Sequence, residues 1–411
     1  MRLFRPTLFA AVLLGTACTE ATLSAPKTPI APITALPRAL TESETKVIAG
    51  SNDFAFDLFR TGNLSQHKEN VFISPLSASM ALGMTANGAD GATYDEMRSA
   101  LRLNGATRED VGAGYKSLIA LLKGLDAGTT FSIANSIWYE RTFPFYASFL
   151  DDSKLSFDAQ VEALDFTSPS AVPTINSWVS EHTDNKIPTI LESIAREEKM
   201  FLVNAIYFKG IWQKQFDKSK TFQAPFHAAD GTTAMVPMMV RGEGVAFTAT
   251  TEYSAVDLPY GNSAYTMTVV LPNGDIDTFA ESFDQAKWNL LVSSLRDINL
   301  QVYLPRFRME WKRELSEDLQ QLGMRLAFAP GGADFTRMSP AGHDLFITRV
   351  VQKTFVDVDE QGTEAAAATI VGIGIVSMPG VFRADRPFLV VIRERFSGTI
   401  IFIGKIAKLP A

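Results

Sequence analysis

Near its C-terminus the chain carries a run that no ordinary element of a folded domain explains. From Ala365 to Phe382, eighteen consecutive residues hold no charge, within the segment EQGTEAAAATIVGIGIVSMPGVF at 360–382. Such a run nearly reaches the length of a membrane helix. Gly372, Gly374 and Pro379 weaken that reading, and Asp385 and Arg386 follow with no further apolar extension. Eighteen residues are also too many for one buried strand. The third reading is an exposed loop that later becomes a strand.

Alternation favours the third. The odd positions from 363 are Thr363, Ala365, Ala367, Thr369, Val371, Ile373 and Ile375, all small or apolar. The even positions hold Glu364, then Ala366, Ala368, Ile370, Gly372, Gly374 and Val376. Laid out as a strand, the odd set would face a core and Glu364 would face water. The smallest residues come first, as though that end must pass between existing neighbours. An ordinary surface loop needs no such pattern.

The usual chemical toolkits are missing. A single cysteine, Cys18, excludes an intramolecular disulfide and a thiolate metal cluster. The histidines stand apart at 67, 182, 227 and 343, and no HExxH, CxxC, GxGxxG or P-loop pattern occurs. No metal, cofactor or catalytic residue is therefore assigned. Ser377 could be imagined as a nucleophile, but no His–Asp arrangement can be argued beside it. The net charge of −7 argues against broad nucleic-acid binding.

The N-terminus reads as an address. Arg2 and Arg5 precede an apolar stretch from Leu8 to Leu14, too short to span a bilayer, and Gly15, Thr16 and Ala17 lead into Cys18. Residues 1–17 resemble a bacterial lipoprotein signal, in which the cysteine thiol is lipidated and becomes the new N-terminus. Gly15 stands where leucine is commoner, and an ordinary secretory signal cut nearby is the alternative. Either way export is expected, to the cell envelope as a lipoprotein or to the extracellular space. Pro26, Pro29, Pro32 and Pro37 among Ala and Thr make 18–40 an extended tether.

The folded part is expected from Thr41, where Thr41 and Glu44 have capping-box spacing and Val47, Ser51, Phe54 and Leu58 share a helical face. From there to Ala411 nothing marks a second linker, so 41–411 reads as one domain. Helical patterns occur at 74–88 and 311–322, the latter through Trp311, Leu315, Leu319 and Leu322 before Gly323. Strand patterns occur at 265–271, 299–305, 345–358, 388–392 and 399–404. The runs FLVVI and TIIFI suit strands buried on both faces. Strands gather in the second half without strict alternation with helices, which predicts an α+β class.

The segment EQGTEAAAAT closely resembles the hinge of inhibitory serpins. NVFISPLSASMAL at 70–82, INSWVSEHTDNKI at 175–187, LVNAIYFKGIW at 202–212, VYLPRF at 302–307, FRADRPF at 382–388 and FIGKIAKLP at 402–410 have counterparts in the same family, in the same order. The resemblance covers essentially all of 41–411. It implies three β-sheets, about nine helices and an exposed reactive loop at about 360–382. It also implies a metastable native state. A protease attacks the loop and becomes an acyl-enzyme, and the freed loop inserts into the central sheet and drags the protease with it. Open strand edges and stored strain make that physically reasonable.

By the family's register the hinge comprises Glu360, Gly362, Thr363 and Ala365, Ala366, Ala367 and Ala368. Seventeen residues from Glu360 place the scissile bond at Val376–Ser377, a strand span of roughly 55 Å at about 3.3 Å each. Ile375–Val376 and Met378–Pro379 are the neighbouring alternatives, the latter poor because proline follows it. Val376 suits the shallow apolar pocket of elastase-like serine proteases, and Ile375 would suit cysteine proteases that read the preceding side chain. Ser74, Ser77 and Asn204 correspond to the shutter, where the sheet opens, with helix capping and buried hydrogen bonding as their plain structural role. Gln352 stands where many serpins have a shutter histidine and cannot take its proton near neutral pH. Trp212 matches the breach, where insertion begins. A monomer is expected. The rival is a non-inhibitory serpin acting as a binding or structural protein, but such members usually lose the small hinge residues kept here.

Overall fold

The computed structural model of the protein describes residues 31–363 and 380–410. Cys18, Ala365 to Ala368, Val376 and Ser377 lie outside the described residues, as do the signal and most of the tether.

Thr41 opens the first helix as its spacing predicts. Its side chain accepts from the Glu44 N–H at 3.1 Å, and the Glu44 carboxylate accepts from the Thr41 N–H at 2.7 Å, a reciprocal cap. Helix α1 (Glu42–Leu64) buries Val47, Ser51, Phe54 and Leu58. It is followed by β1 (Val71–Ile73), α2 (Pro75–Asn87), α3 (Gly91–Ala100), α4 (Arg108–Lys123), β2 (Thr129–Glu140), α5 (Ala147–Phe157), β3 (Ala159–Leu164), α6 (Ala171–His182) and β4 (Met200–Ile211). Then come β5 (Phe222–His227), β6 (Thr233–Ala249), β7 (Tyr253–Pro259), β8 (Tyr265–Pro272), α7 (Ile276–Ser282), α8 (Gln285–Ser294), β9 (Arg296–Pro305), β10 (Phe307–Glu314) and α9 (Ser316–Gln321). The chain ends with β11 (Val351–Val358), β12 (Gly362–Thr363), β13 (Gly380–Arg383), β14 (Phe388–Glu394) and β15 (Ile400–Ile406).

The class is α+β, with nine α-helices among the described residues. One sheet has six strands in the order β10-β11-β12-β4-β2-β3. The other runs β1-β15-β14-β8-β7-β6-β9-β13, with β5 on β6. The strand β6 pairs β5 from Thr233 to Met238, β9 from Met238 to Phe247 and β7 from Ala246 to Ala249. Two sheets thus share one strand, which accounts for the third sheet the family resemblance implies. Strands β14 and β15 are buried at every position, as continuous apolar runs require. Helix α2 packs on both β4 and β15, so nearly all of its positions are buried.

Three sequence expectations change. The helix expected over 311–322 is a strand to Glu314 and a short helix after it. Phe307, Met309 and Trp311 are buried while Arg308, Glu310 and Lys312 are exposed. This period of two outweighs the helical spacing of Trp311, Leu315 and Leu319. The strand expected over 345–358 begins only at Val351. Before it, the backbone bonds elsewhere, Ile347 N–H to Ala327 O at 2.7 Å and Leu315 N–H to Val350 O at 2.7 Å. The end of the expected tether is also part of the folded unit. Ile33, Leu36 and Leu40 pack on the core, and the Ile33 N–H donates to Asn262 O at 2.8 Å.

No helix among the described residues is long and apolar enough to cross a membrane.

Candidate functional site

The strand β11 ends in a tight turn that feeds the hinge back into its own sheet. Asp359 Oδ1 accepts from the N–H groups of Gln361 and Gly362 at 2.8 and 3.1 Å, and the Asp359 N–H donates to Gly362 O at 2.9 Å. Gly362 and Thr363 then lie between β11 and β4, with Thr363 opposite Val358 on one side and Gly210 on the other. The fit admits no side chain at 362, since a Cβ there would stand 2.0 Å from Gly210 O. Gly210 is needed for the matching reason, because a Cβ on it would lie 2.7 Å from the Tyr260 ring.

Beneath this pair lies a group of rings. Thr363 is buried, and its Oγ1 is 2.8 Å from the Tyr260 hydroxyl. Tyr260 stacks on Trp212 with centroids 4.4 Å apart and meets Phe208 edge-on at 5.1 Å. Burial pushes the Tyr260 hydroxyl far above the usual tyrosine range, so it stays a neutral hydrogen-bonding group. Trp212, assigned to the breach, donates its indole N–H to Asp359 O at 2.9 Å and its backbone N–H to Gln361 O at 2.8 Å. It therefore holds the turn rather than only filling space. Glu360 is buried beside it, accepting from the Thr221 hydroxyl at 2.7 Å, with Arg306 Nη1 at 3.9 Å.

The residues assigned to the shutter meet lower in the same sheet. Gln352 clasps the start of α2, accepting from the Ser74 N–H at 3.0 Å and donating to Ser74 O at 2.8 Å. The Ser74 hydroxyl does not cap the helix. It donates to Ile401 O at 2.9 Å and so ties α2 to β15. Asn204 donates to Asn135 Oδ1 at 2.5 Å, Asn135 donates to Phe157 O at 2.6 Å, and Asn204 Oδ1 is buried without a partner. Ser77, Asn204 and Gln352 all line one cavity of about 170 Å³ between β4 and β11. Both strands are antiparallel to β12 and hence parallel to each other. Among the described residues no ladder joins them directly.

Tyr260 and Asn135 were not among the residues the sequence singled out. Asn135 left a trace, a polar residue within the strand-like TTFSIANSIWYE. Tyr260 left none, since its partner lies about a hundred residues on. Among the described residues no group of His, Cys, Asp and Glu is placed to hold a metal ion.

Comparison with known proteins bears on this geometry. A family model described as "Serpin (serine protease inhibitor)" matches residues 49–409. The chain is 36% identical over 378 residues to leukocyte elastase inhibitor of Sus scrofa, covering 88% of this chain and 98% of that protein. Among solved structures it is similar to the thermophilic serpin tengpin in its native state, with a TM-score of 0.82 and 31% identity over 93% of this chain and 98% of that one. It also matches human thyroxine-binding globulin, with a TM-score of 0.82 and 26% identity over 90% of this chain and 100% of that one.

Proposed function

This chain belongs to the serpin family, and from that premise we propose that it is a suicide-substrate inhibitor of elastase-like serine proteases. The observation that carries the reading is the hinge seated between β4 and β11. In an inserted strand that continued this register, Ala365 would come level with Val356, Ala367 with Thr354, and Thr369 with both Gln352 and Asn204. Val356, Thr354 and Gln352 are, with Val358, the buried positions of β11. The small and apolar odd set would thus point inward, and Glu364 outward beside Asp357. A strand added here satisfies backbone groups along both neighbours and fills the cavity beneath them.

Cleavage at Val376–Ser377 by a protease that accepts valine would free the loop to take that place. The acyl bond would carry the protease along before water could hydrolyse it. Support for the target class comes from Val376 itself and from relatives named for leukocyte elastase inhibition. Incubation with an elastase and separation on a denaturing gel tests the proposal. A covalent band at the summed mass less the released 377–411 fragment is expected, and a cut chain beside fully active protease would favour the non-inhibitory alternative. The signal and Cys18 extend the proposal to an exported protein, lipid-anchored or released. Labelled fatty acid should enter the wild type and not Cys18→Ser if the anchor is used.

A further inference from the structure

An ion pair bridges the gap between β4 and β11 at the end away from the hinge. Glu198 stands two residues before β4, and Arg349 two residues before β11. Arg349 Nε lies 2.7 Å from Glu198 Oε1, and Arg349 Nη2 donates to Glu198 Oε2 at 3.1 Å. Each partner is braced. The Ala195 N–H donates to Glu198 Oε2 at 2.6 Å, the Thr348 hydroxyl lies 3.3 Å from Glu198 Oε1, and Arg349 Nη2 also donates to Ser193 O at 2.7 Å. The Glu198 side chain is 3% exposed, against 28% for Arg349. The guanidinium also lies over the Phe201 ring, 5.7 Å from its centroid. Both Glu198 and Arg349 line the cavity that an added strand would enter.

The hinge register shows what this pair obstructs. Extended downward in an inserted strand, it would bring Gly372 level with both Phe201 and Arg349, and Ile375 level with Glu198. A strand running the full length of β4 would have to pass between the two charged groups. We infer that Glu198 and Arg349 form a clasp that holds the far end of the gap and opens only late in insertion. The inference rests on the insertion reading above. The clasp stabilises the intact chain and is absent once the loop is in place, so insertion proceeds past Asn204 before it meets its last resistance.

The distinguishing measurement is thermal unfolding of the intact and the loop-cut full chain, for wild type, Glu198→Gln, Arg349→Met and the double variant Glu198→Gln with Arg349→Met. Each single change should lower the melting temperature of the intact form by about 2–5 °C and leave the cut form within about 1 °C of wild type. The double variant should lose clearly less than the two singles together, which separates the clasp from a general folding defect. Equal losses in both forms would make the pair an ordinary stabilising contact and overturn the inference, as would no loss in either. If wild type gains no stability on cutting, the insertion reading itself fails, and that outcome is visible without any variant.

Discussion

Thr363→Val keeps the volume of the hinge side chain and removes its hydroxyl. The Tyr260 hydroxyl, fully buried and 2.8 Å from Thr363 Oγ1, is then left without that partner, which costs about 1–3 kcal/mol. Tyr260→Phe strands the threonine hydroxyl in turn, at a cost of about 1–2 kcal/mol. The double variant leaves neither group stranded and should lose less than the two singles together, a coupling of about 1–2 kcal/mol. Roughly 370 folded residues at about 2.1 cal/mol/K each give about 0.8 kcal/mol/K of unfolding entropy. One kcal/mol is then about 1.3 °C, so Thr363→Val should melt about 1–4 °C below wild type. Calorimetry of all four proteins resolves such differences. Because burial raises the pKa of Tyr260, tyrosine is neutral in both folded and unfolded states below about pH 9, and the coupling should be constant from about pH 6 to 9. Losses in the double variant equal to the sum of the singles would refute the pairing.

Gly362→Ala must displace the backbone that a Cβ would meet at 2.0 Å, a cost of about 1–3 kcal/mol. Because Gly362 is already seated in the intact chain, the variant should melt about 1–4 °C below wild type, and an unchanged melting temperature would remove the close approach as a constraint. On the proposed function, Val376→Arg should move inhibition from elastase to trypsin, and retained elastase specificity would put the cut bond elsewhere. The Arg38 side chain bonded to Glu44, with the Thr41 N–H and the Ser117 hydroxyl, holds the Glu44 carboxyl down at about 2, from an ordinary 4.5. A depressed carboxylate contributes its stability above the unfolded value and loses it as pH falls through the folded one. Glu44→Gln should therefore flatten the decline of melting temperature between about pH 4.5 and 2, and an acid limb parallel to wild type would show that Glu44 is not its source.

Local rules explain what the sequence made legible. Thr41 and Glu44 are three residues apart and cap each other whatever lies beyond, and the runs at β14 and β15 have the composition of strands buried on both faces. Of the odd positions in the hinge alternation only Thr363 falls among the described residues, where it is buried. Trp311 was misplaced because a spacing of four fits a helix as well as alternate residues of a strand running on into a turn. Arg349 and Glu198 could not be paired from sequence, since their partnership depends on two strands that are both present and unjoined. Tyr260 belongs with them, since only the packed sheet brings its ring under the hinge.

The nine-stranded sheet has a further consequence, one of timing. Val71 of β1 pairs with Lys405 of β15, and β14 lies between β15 and β8. During synthesis β1 leaves the ribosome early and waits for nearly the whole chain before its neighbour exists. Until the last strands emerge, one edge of β8 is an apolar row of unpaired amides that another nascent chain could join. A premature stop codon between Pro272 and β14 would make that transient exposure permanent, so truncation near the C-terminus should yield aggregates rather than a shortened soluble protein.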